Sequence, residues 1–271
     1  MKFNLEKEEK RVKFVLEKRN LPKMCAAVGI TLDVSSSMQG LYREGRVQRV
    51  VEQIVPVGLR FDDNGCLDVK TFSSGESYVS DITKINRNNY EGFVEREILS
   101  KHSVPKWGGT DYYPVIKNML IEYGFYQEDV QGNSRANTVP KAKGWMGRLC
   151  QSIGLGNDED ATPSRSESNR LVAESTSGEP VINYFLTDGE NDDKAHVRDI
   201  LLECQRAKVN MYFMFIGIGE TNFEFLKEIA EEFDNVGFLS VKDLARFVDA
   251  DDLYEQLLPE ELTKWLKQKA Q

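Results

Sequence analysis

The sequence is poor in cysteine and histidine, with four Cys and two His in 271 residues. Cys25, Cys66, Cys150 and Cys204 are widely spread, form no CxxC pair and sit mostly in apolar contexts, such as LLECQ around Cys204. That usage argues against a disulfide scaffold or a thiolate metal knuckle and fits packed thiols in a reducing compartment. His102 and His196 are far apart and in no ligand-spaced motif, so both read as surface or structural. No Ser/His/Asp or Cys/His set is identifiable, which leaves any serine or cysteine nucleophile without a base. Positive charge is not in excess either: 35 Lys+Arg stand against 44 Asp+Glu, a net charge of −9. A general nucleic-acid binder needs the opposite balance. The most apolar stretch, Met211 to Gly219, is far below the roughly 18 residues of a membrane helix. The opening MKFNLEKEEKRVKFVLEKRN is charged throughout and has no signal-peptide core. There is no GxxxxGK[ST] phosphate loop and no internal repeat, and Gly217-Ile218-Gly219 lacks the third glycine of a dinucleotide loop. A cytoplasmic protein is expected.

What is present is globular: 40% of residues are apolar, enough for one large domain or two small ones. Residues 1–23 read as a charged leader, amphipathic over 1–20, with Phe14, Val15 and Leu16 among Lys and Glu and an end near Pro22. The short apolar runs Cys25–Leu32, Val181–Leu186 and Val209–Ile216 suit strands buried on both faces. Leu67–Phe72 and Ser77–Ile82 alternate, as a hairpin or edge strands do, and Val236–Val241 adds a short strand. Helical periodicity marks Leu41–Phe61, where Pro56 predicts a kink or an early end. Further helices are expected at Tyr90–Leu99, Tyr112–Tyr123, Lys194–Lys208 and Phe223–Phe233, with one or two closing helices in Asp251–Lys269 around Pro259. Strands alternating with helices predict an α/β fold, a doubly wound, mostly parallel sheet with one antiparallel edge strand. Residues 128–180 are rich in Gly, Ser, Asn, Asp and Glu and read as an insertion into the domain at 24–271.

Three polar clusters fall at or beside the carboxyl ends of the expected strands, where open parallel sheets bind ligands. They are Asp33-Val34-Ser35-Ser36-Ser37, Gly108-Gly109-Thr110 and Thr187-Asp188-Gly189. Asp33 and Asp188 bring carboxylates; Ser35, Ser37 and Thr110 bring hydroxyls. These hard oxygen donors suit Mg²⁺, Mn²⁺ or Ca²⁺ and disfavour structural zinc. The i, i+2, i+4 spacing at 33, 35 and 37 lets a tight loop turn alternate side chains to one side. Taken singly, each cluster also has a structural reading: serines and Thr110 as helix caps, and Asp188-Gly189 as a turn.

In order and placement the three clusters resemble the von Willebrand factor type A domain, whose metal-ion-dependent adhesion site reads Asp-x-Ser-x-Ser, then a distant Thr, then a distant Asp. LTDGENDD, FMFIGIG and the charged leader are similar to the tellurium-resistance TerF-type branch. The resemblance implies a Rossmann-like fold and a divalent cation, Mg²⁺ or else Mn²⁺ or Ca²⁺, on Asp33, Ser35, Ser37, Thr110 and Asp188. It further implies a protein partner that donates a carboxylate to the ion, no catalysis, a role in a tellurite-resistance or stress complex, and a shift of the final helix within Asp251–Lys269 when ligation changes. The alternatives are a metal-dependent hydrolase or phosphoryl-transfer enzyme using the same oxygens, with Glu190 the one conceivable base, and a metal-binding subunit of a chelatase or AAA-type assembly. The rim is acidic, with Asp111, Glu190, Asp192 and Asp193, and the last two are expected to start the helix at Lys194. Within the insertion, Lys141–Leu155 mixes basic and apolar residues and reads either as a loose loop or as an amphipathic helix docking on a membrane or partner.

Overall fold

The computed structural model describes residues 3–21, 24–62, 64–128, 169–189, 191–242, 246–247 and 252–269. Six strands form its main sheet: β1 (Ala27–Asp33), β2 (Cys66–Phe72), β3 (Ser80–Asn86), β6 (Val181–Thr187), β7 (Met211–Ile218) and β8 (Val236–Val241). Their order is β3-β2-β1-β6-β7-β8. Every pairing is parallel except β2 with β3 at one edge. The expected doubly wound α/β architecture is what the chain adopts.

Period-2 alternation sends successive residues of each central strand into two separate cores. Ile182, Tyr184 and Leu186 of β6 and Tyr212, Met214 and Ile216 of β7 join one. That core also takes buried residues of α1 (Leu5–Lys18), α3 (Arg46–Phe61), α7 (Leu253–Leu257) and α8 (Glu260–Lys269). Val181, Phe185, Met211, Phe213 and Phe215 join the other, with α4 (Tyr113–Glu122), α5 (Lys194–Ala207) and α6 (Glu224–Glu232). Burial on both faces explains why these strands read as continuous apolar runs.

Several local expectations shift. The helix expected over Leu41–Phe61 is two, α2 (Gln39–Arg43) and α3, parted at Gly45 with φ 68°. Pro56 neither ends nor shortens α3, which continues to Phe61. Gly58 lets α3 lie close on β2, since a Cβ there would meet the Leu67 side chain. The strand expected from Ser77 begins at Ser80, after a 3-10 turn at Glu76–Tyr78, and Tyr90–Leu99 holds a π-turn at Glu95–Leu99. The N-terminal helix packs into the first core through Val12, Val15 and Leu16, while Phe14 is 66% exposed. Of the cysteines, Cys204 is buried and Cys25 and Cys66 are half-buried. Residues 127–170 form a second unit. β4 (Tyr126–Glu128) pairs with β5 (Asn169–Leu171). Cys150, Lys141–Leu155 and Glu190 lie outside the described residues. Among the described residues no helix is long and apolar enough to cross a membrane.

Candidate metal centre

β1 and β6 are parallel neighbours, in register through Leu32 and Leu186, so Asp33 and Thr187 end side by side. Thr187 Oγ1 donates to Asp33 Oδ2 at 2.7 Å, and the Ser35 backbone N–H donates to Asp33 Oδ1 at 2.7 Å. Asp33 is fully buried, and burial pushes its carboxyl up to about 7; hydrogen bonds from Ser35 and Thr187 oppose the rise, and the charge of Asp188 adds to it. Among the described residues no Lys or Arg forms an ion pair with it. The Thr187 hydroxyl is fully used. Its one hydrogen goes to Asp33, and its lone pairs face the Gly189 N–H at 3.1 Å and Tyr112 Oη at 3.0 Å, which makes Tyr112 the donor there. Tyr112, Phe72, Phe185 and Phe215 form an aromatic floor that keeps water from this side of the site.

The Ser35 and Ser37 hydroxyls lie 3.1 Å apart. Neither serine caps a helix: α2 begins at Gln39, and its N-cap residue is Met38, with no side-chain cap. Ser36 instead binds this loop to the next one, its N–H donating to Gly108 O at 3.0 Å and its hydroxyl to Trp107 O at 2.6 Å. The Trp107 N–H donates to Val34 O at 2.6 Å. Holding that pattern puts Trp107 at φ 70°, a left-handed conformation that costs a non-glycine residue roughly 1–2 kcal/mol. Its ring stands edge-on to Tyr42, whose hydroxyl donates to Asp33 O at 3.0 Å. Gly108 is required by the close approach, because a Cβ would lie 2.8 Å from Ser74 Oγ and 2.9 Å from Ser73 Oγ.

Thr110 is almost fully buried and does not cap α4. Its carbonyl accepts the Asp192 N–H at 2.9 Å. On its other side Ser73 donates from its hydroxyl to Gly109 O at 2.6 Å and accepts the Asp111 N–H at its carbonyl at 3.0 Å. Asp193 stands where expected, immediately before α5, which begins at Lys194, but it makes no side-chain cap there. Its carboxylate reaches the start of α4, accepting Tyr112 N–H at 3.1 Å on Oδ1 and Tyr113 N–H at 2.7 Å on Oδ2, with Asn191 Nδ2 donating to Oδ1 at 2.7 Å. Asp111 is raised by its burial and by the charges of Asp193 and Asp192, and accepts the Gly75 N–H at 2.9 Å.

The structure therefore ties together the three loops that carry Asp33, Ser35, Ser37, Thr110 and Asp188. Asp188 itself is half-buried. Sequence reasoning missed Tyr112 and Ser73, and named Thr187 and Asp193 without the parts they play here. Of those parts only that of Thr187 left a signal, a hydroxyl at the last strand position before Asp-Gly. His102 and His196 are exposed, and the His196 ring lies 5.7 Å from that of Tyr113. No group of three or more His, Cys, Asp or Glu among the described residues is arranged to hold a metal. Any ion in this centre would thus rest largely on hydroxyls, with two carboxylates. That donor set, with a buried carboxylate that lacks a cationic partner, fits a hard divalent ion.

A family model described as the von Willebrand factor A domain found in the TerF C terminus matches residues 25–132 and 124–271. The Bacillus subtilis (strain 168) protein YcbR is 31% identical over 265 residues, 96% of this chain and 86% of that one. Among solved structures, the ArnB paralog VWA2 from Sulfolobus acidocaldarius aligns with a TM-score of 0.46 and 15% identity, over 86% of this chain and 45% of that one. Proximal thread matrix protein 1 from the mussel byssus aligns with a TM-score of 0.44 and 14% identity, over 90% of this chain and 48% of that one. The chain spans just under half the length of those two solved proteins. It belongs to the TerF-like von Willebrand factor A family.

Proposed function

We propose that the chain is a divalent-cation-dependent protein–protein interaction module without catalysis, acting in a cytoplasmic stress or tellurium-resistance complex. Asp33, Ser35, Ser37, Thr110 and Asp188 would hold Mg²⁺, or else Mn²⁺ or Ca²⁺, as a metal-ion-dependent adhesion site. When bound, the ion supplies an electrophilic centre for a carboxylate of the partner protein. The observation that carries the reading is Asp33: a fully buried carboxylate whose neighbours are N–H and O–H donors and which lacks an ion pair among the described residues. A buried charge of this kind is costly until a cation compensates it. The association with tellurium resistance rests on family membership alone.

The residues around the ion have separate tasks. Thr187 and the Ser35 N–H orient the Asp33 carboxylate. Tyr112 and its aromatic neighbours exclude water beneath it, which strengthens electrostatic attraction there. The acidic rim, Asp111 and Asp192 included, attracts cations and disfavours acidic partners that cannot reach the ion. Titration calorimetry with Mg²⁺, Mn²⁺ and Ca²⁺ on the wild type and Asp33→Ala tests the ion. Partner capture from lysate with and without chelator tests the role. The reading predicts one saturable site lost in the variant and a chelator-sensitive partner. Equal heats from wild type and variant, or capture indifferent to chelator, contradict it.

A further inference from the structure

From the hydrogen bonds at the start of α4 we infer that Asp193 is a positioning residue for Thr110, which makes the second and third loops one unit; this rests on the cation-site reading above. The segment Thr110–Tyr113 is held to Asn191–Asp193 by three backbone N–H bonds: Asp192 to Thr110 O, and Tyr112 and Tyr113 to the two oxygens of Asp193. Thr110 sits two residues before Tyr112, the N-cap position of α4, which supplies no side-chain cap. Unpaired N–H groups at a helix start need an acceptor, and one carboxylate from another loop satisfies two of them. Asn191 fixes that carboxylate in turn: the residue is buried and its amide donates to Oδ1. Ser73 holds the same loop from the opposite side, through Gly109 O and Asp111 N–H. Thr110 therefore has little freedom to move except together with the segment that follows Asp188.

A carboxylate suits this task better than an amide or a hydroxyl. Two adjacent N–H groups point at two oxygens, and Asn offers only one acceptor with an NH₂ facing the second donor. The charge of Asp193 also attracts a nearby cation through space, so loss of affinity alone does not establish positioning. Asp192 supplies the control. Its side chain is exposed and takes no part in the clamp, which uses only its backbone N–H.

The test is Mn²⁺ affinity, read from the free-ion paramagnetic resonance signal, for wild type, Asp193→Asn, Asp193→Ala and Asp192→Asn at low and high salt. Hydrogen exchange at Tyr112 and Tyr113 is followed without metal. Positioning predicts about a tenfold loss for Asp193→Asn, a larger one for Asp193→Ala, and only a few-fold, salt-screened loss for Asp192→Asn. The gap between the two Asn variants should persist at high salt, with faster exchange at 112 and 113. Equal losses in those two variants that vanish together in salt would mean a field effect and overturn the inference. So would wild-type affinity in Asp193→Asn. If Asp193→Ala does not fold, the isosteric Asn variant still decides. A wild type that takes up no Mn²⁺ removes the cation site and the inference with it. A wild type that binds while Asp193→Asn binds equally well removes the inference alone.

Discussion

Two buried charges sit on adjacent strands and are treated oppositely. Lys70 of β2 is 4% exposed, and its ammonium pairs with Asp81 of β3 and Glu122 of α4. Asp33 of β1, in register with Phe72 two residues further along β2, is equally hidden, and among the described residues it accepts hydrogen bonds from neutral donors alone. Burying an ion costs several kcal/mol unless a partner offsets it. The fold supplies that partner for Lys70 from its own chain. For Asp33 the described residues supply only dipoles, which leaves a demand that a cation from outside can meet. The contrast separates a charge that serves the architecture from one that serves binding.

The sharpest way to break this contrast is Asp33→Asn. Cation affinity should fall about a thousandfold, ~4 kcal/mol, while the metal-free melting temperature does not fall. A variant that melts well below the metal-free wild type would mean that Asp33 is compensated internally after all. Next in size is the pH dependence of the metal-free protein. The Asp33 carboxyl lies at about 7 in the fold against 3.8 for the free group, so the native state holds a proton that the unfolded chain releases. The associated stability is complete below 3.8 and is lost as pH rises through 7, a decline on the order of 4 kcal/mol that urea titrations between pH 4 and 8 will read. Saturating Mg²⁺ should flatten it, and Asp33→Asn should abolish it.

Lys70→Met should cost about 2 kcal/mol in urea denaturation, through the lost pair, and the loss should be the same with or without Mn²⁺. The variant leaves Asp81 and Glu122 70% and 45% exposed, able to take water instead. A loss that depends on the cation would erase the distinction between the two charges. Smallest is Tyr112→Phe. It removes one buried hydrogen bond to Thr187 and should lower stability by about 1 kcal/mol. Cation affinity should fall by a few-fold as Asp33 loses part of its orientation, which calorimetry can resolve.

The sheet was the most legible part of the molecule. VINYFL and VNMYFMFI are apolar without a break because both faces are covered, and both formed central strands with ends shifted by no more than two residues. Asp33, Ser35, Ser37 and Asp188 were legible as residues at the ends of such strands. Their partners were not. Thr187 and Asp33 are 154 residues apart, and Asp193 and Tyr113 are 80 apart. No periodicity encodes a hydrogen bond across that distance. Asp193 also invited a local reading, since an acidic residue before a helix ordinarily caps it. The start of α4 took its carboxylate instead. Gly45 and Pro56 show the same limit from the other side. A glycine that looked innocuous parts two helices, and a proline that looked disruptive does not end one, because Ile54, Val55 and Val57 around it are buried.

Phe223 carries a consequence for which sequences this fold can accept. It is buried with φ 55°, and its ring rests on two bare α-carbons. A methyl group at Gly217 would stand 2.6 Å from the ring, and one at Gly189, next to Asp188, would overlap it. Positions 217 and 223 can therefore drift only in concert: a smaller residue at 223 opens the way for alanine at 217, whereas position 189, at φ 109°, is held to glycine by its backbone whatever stands at 223.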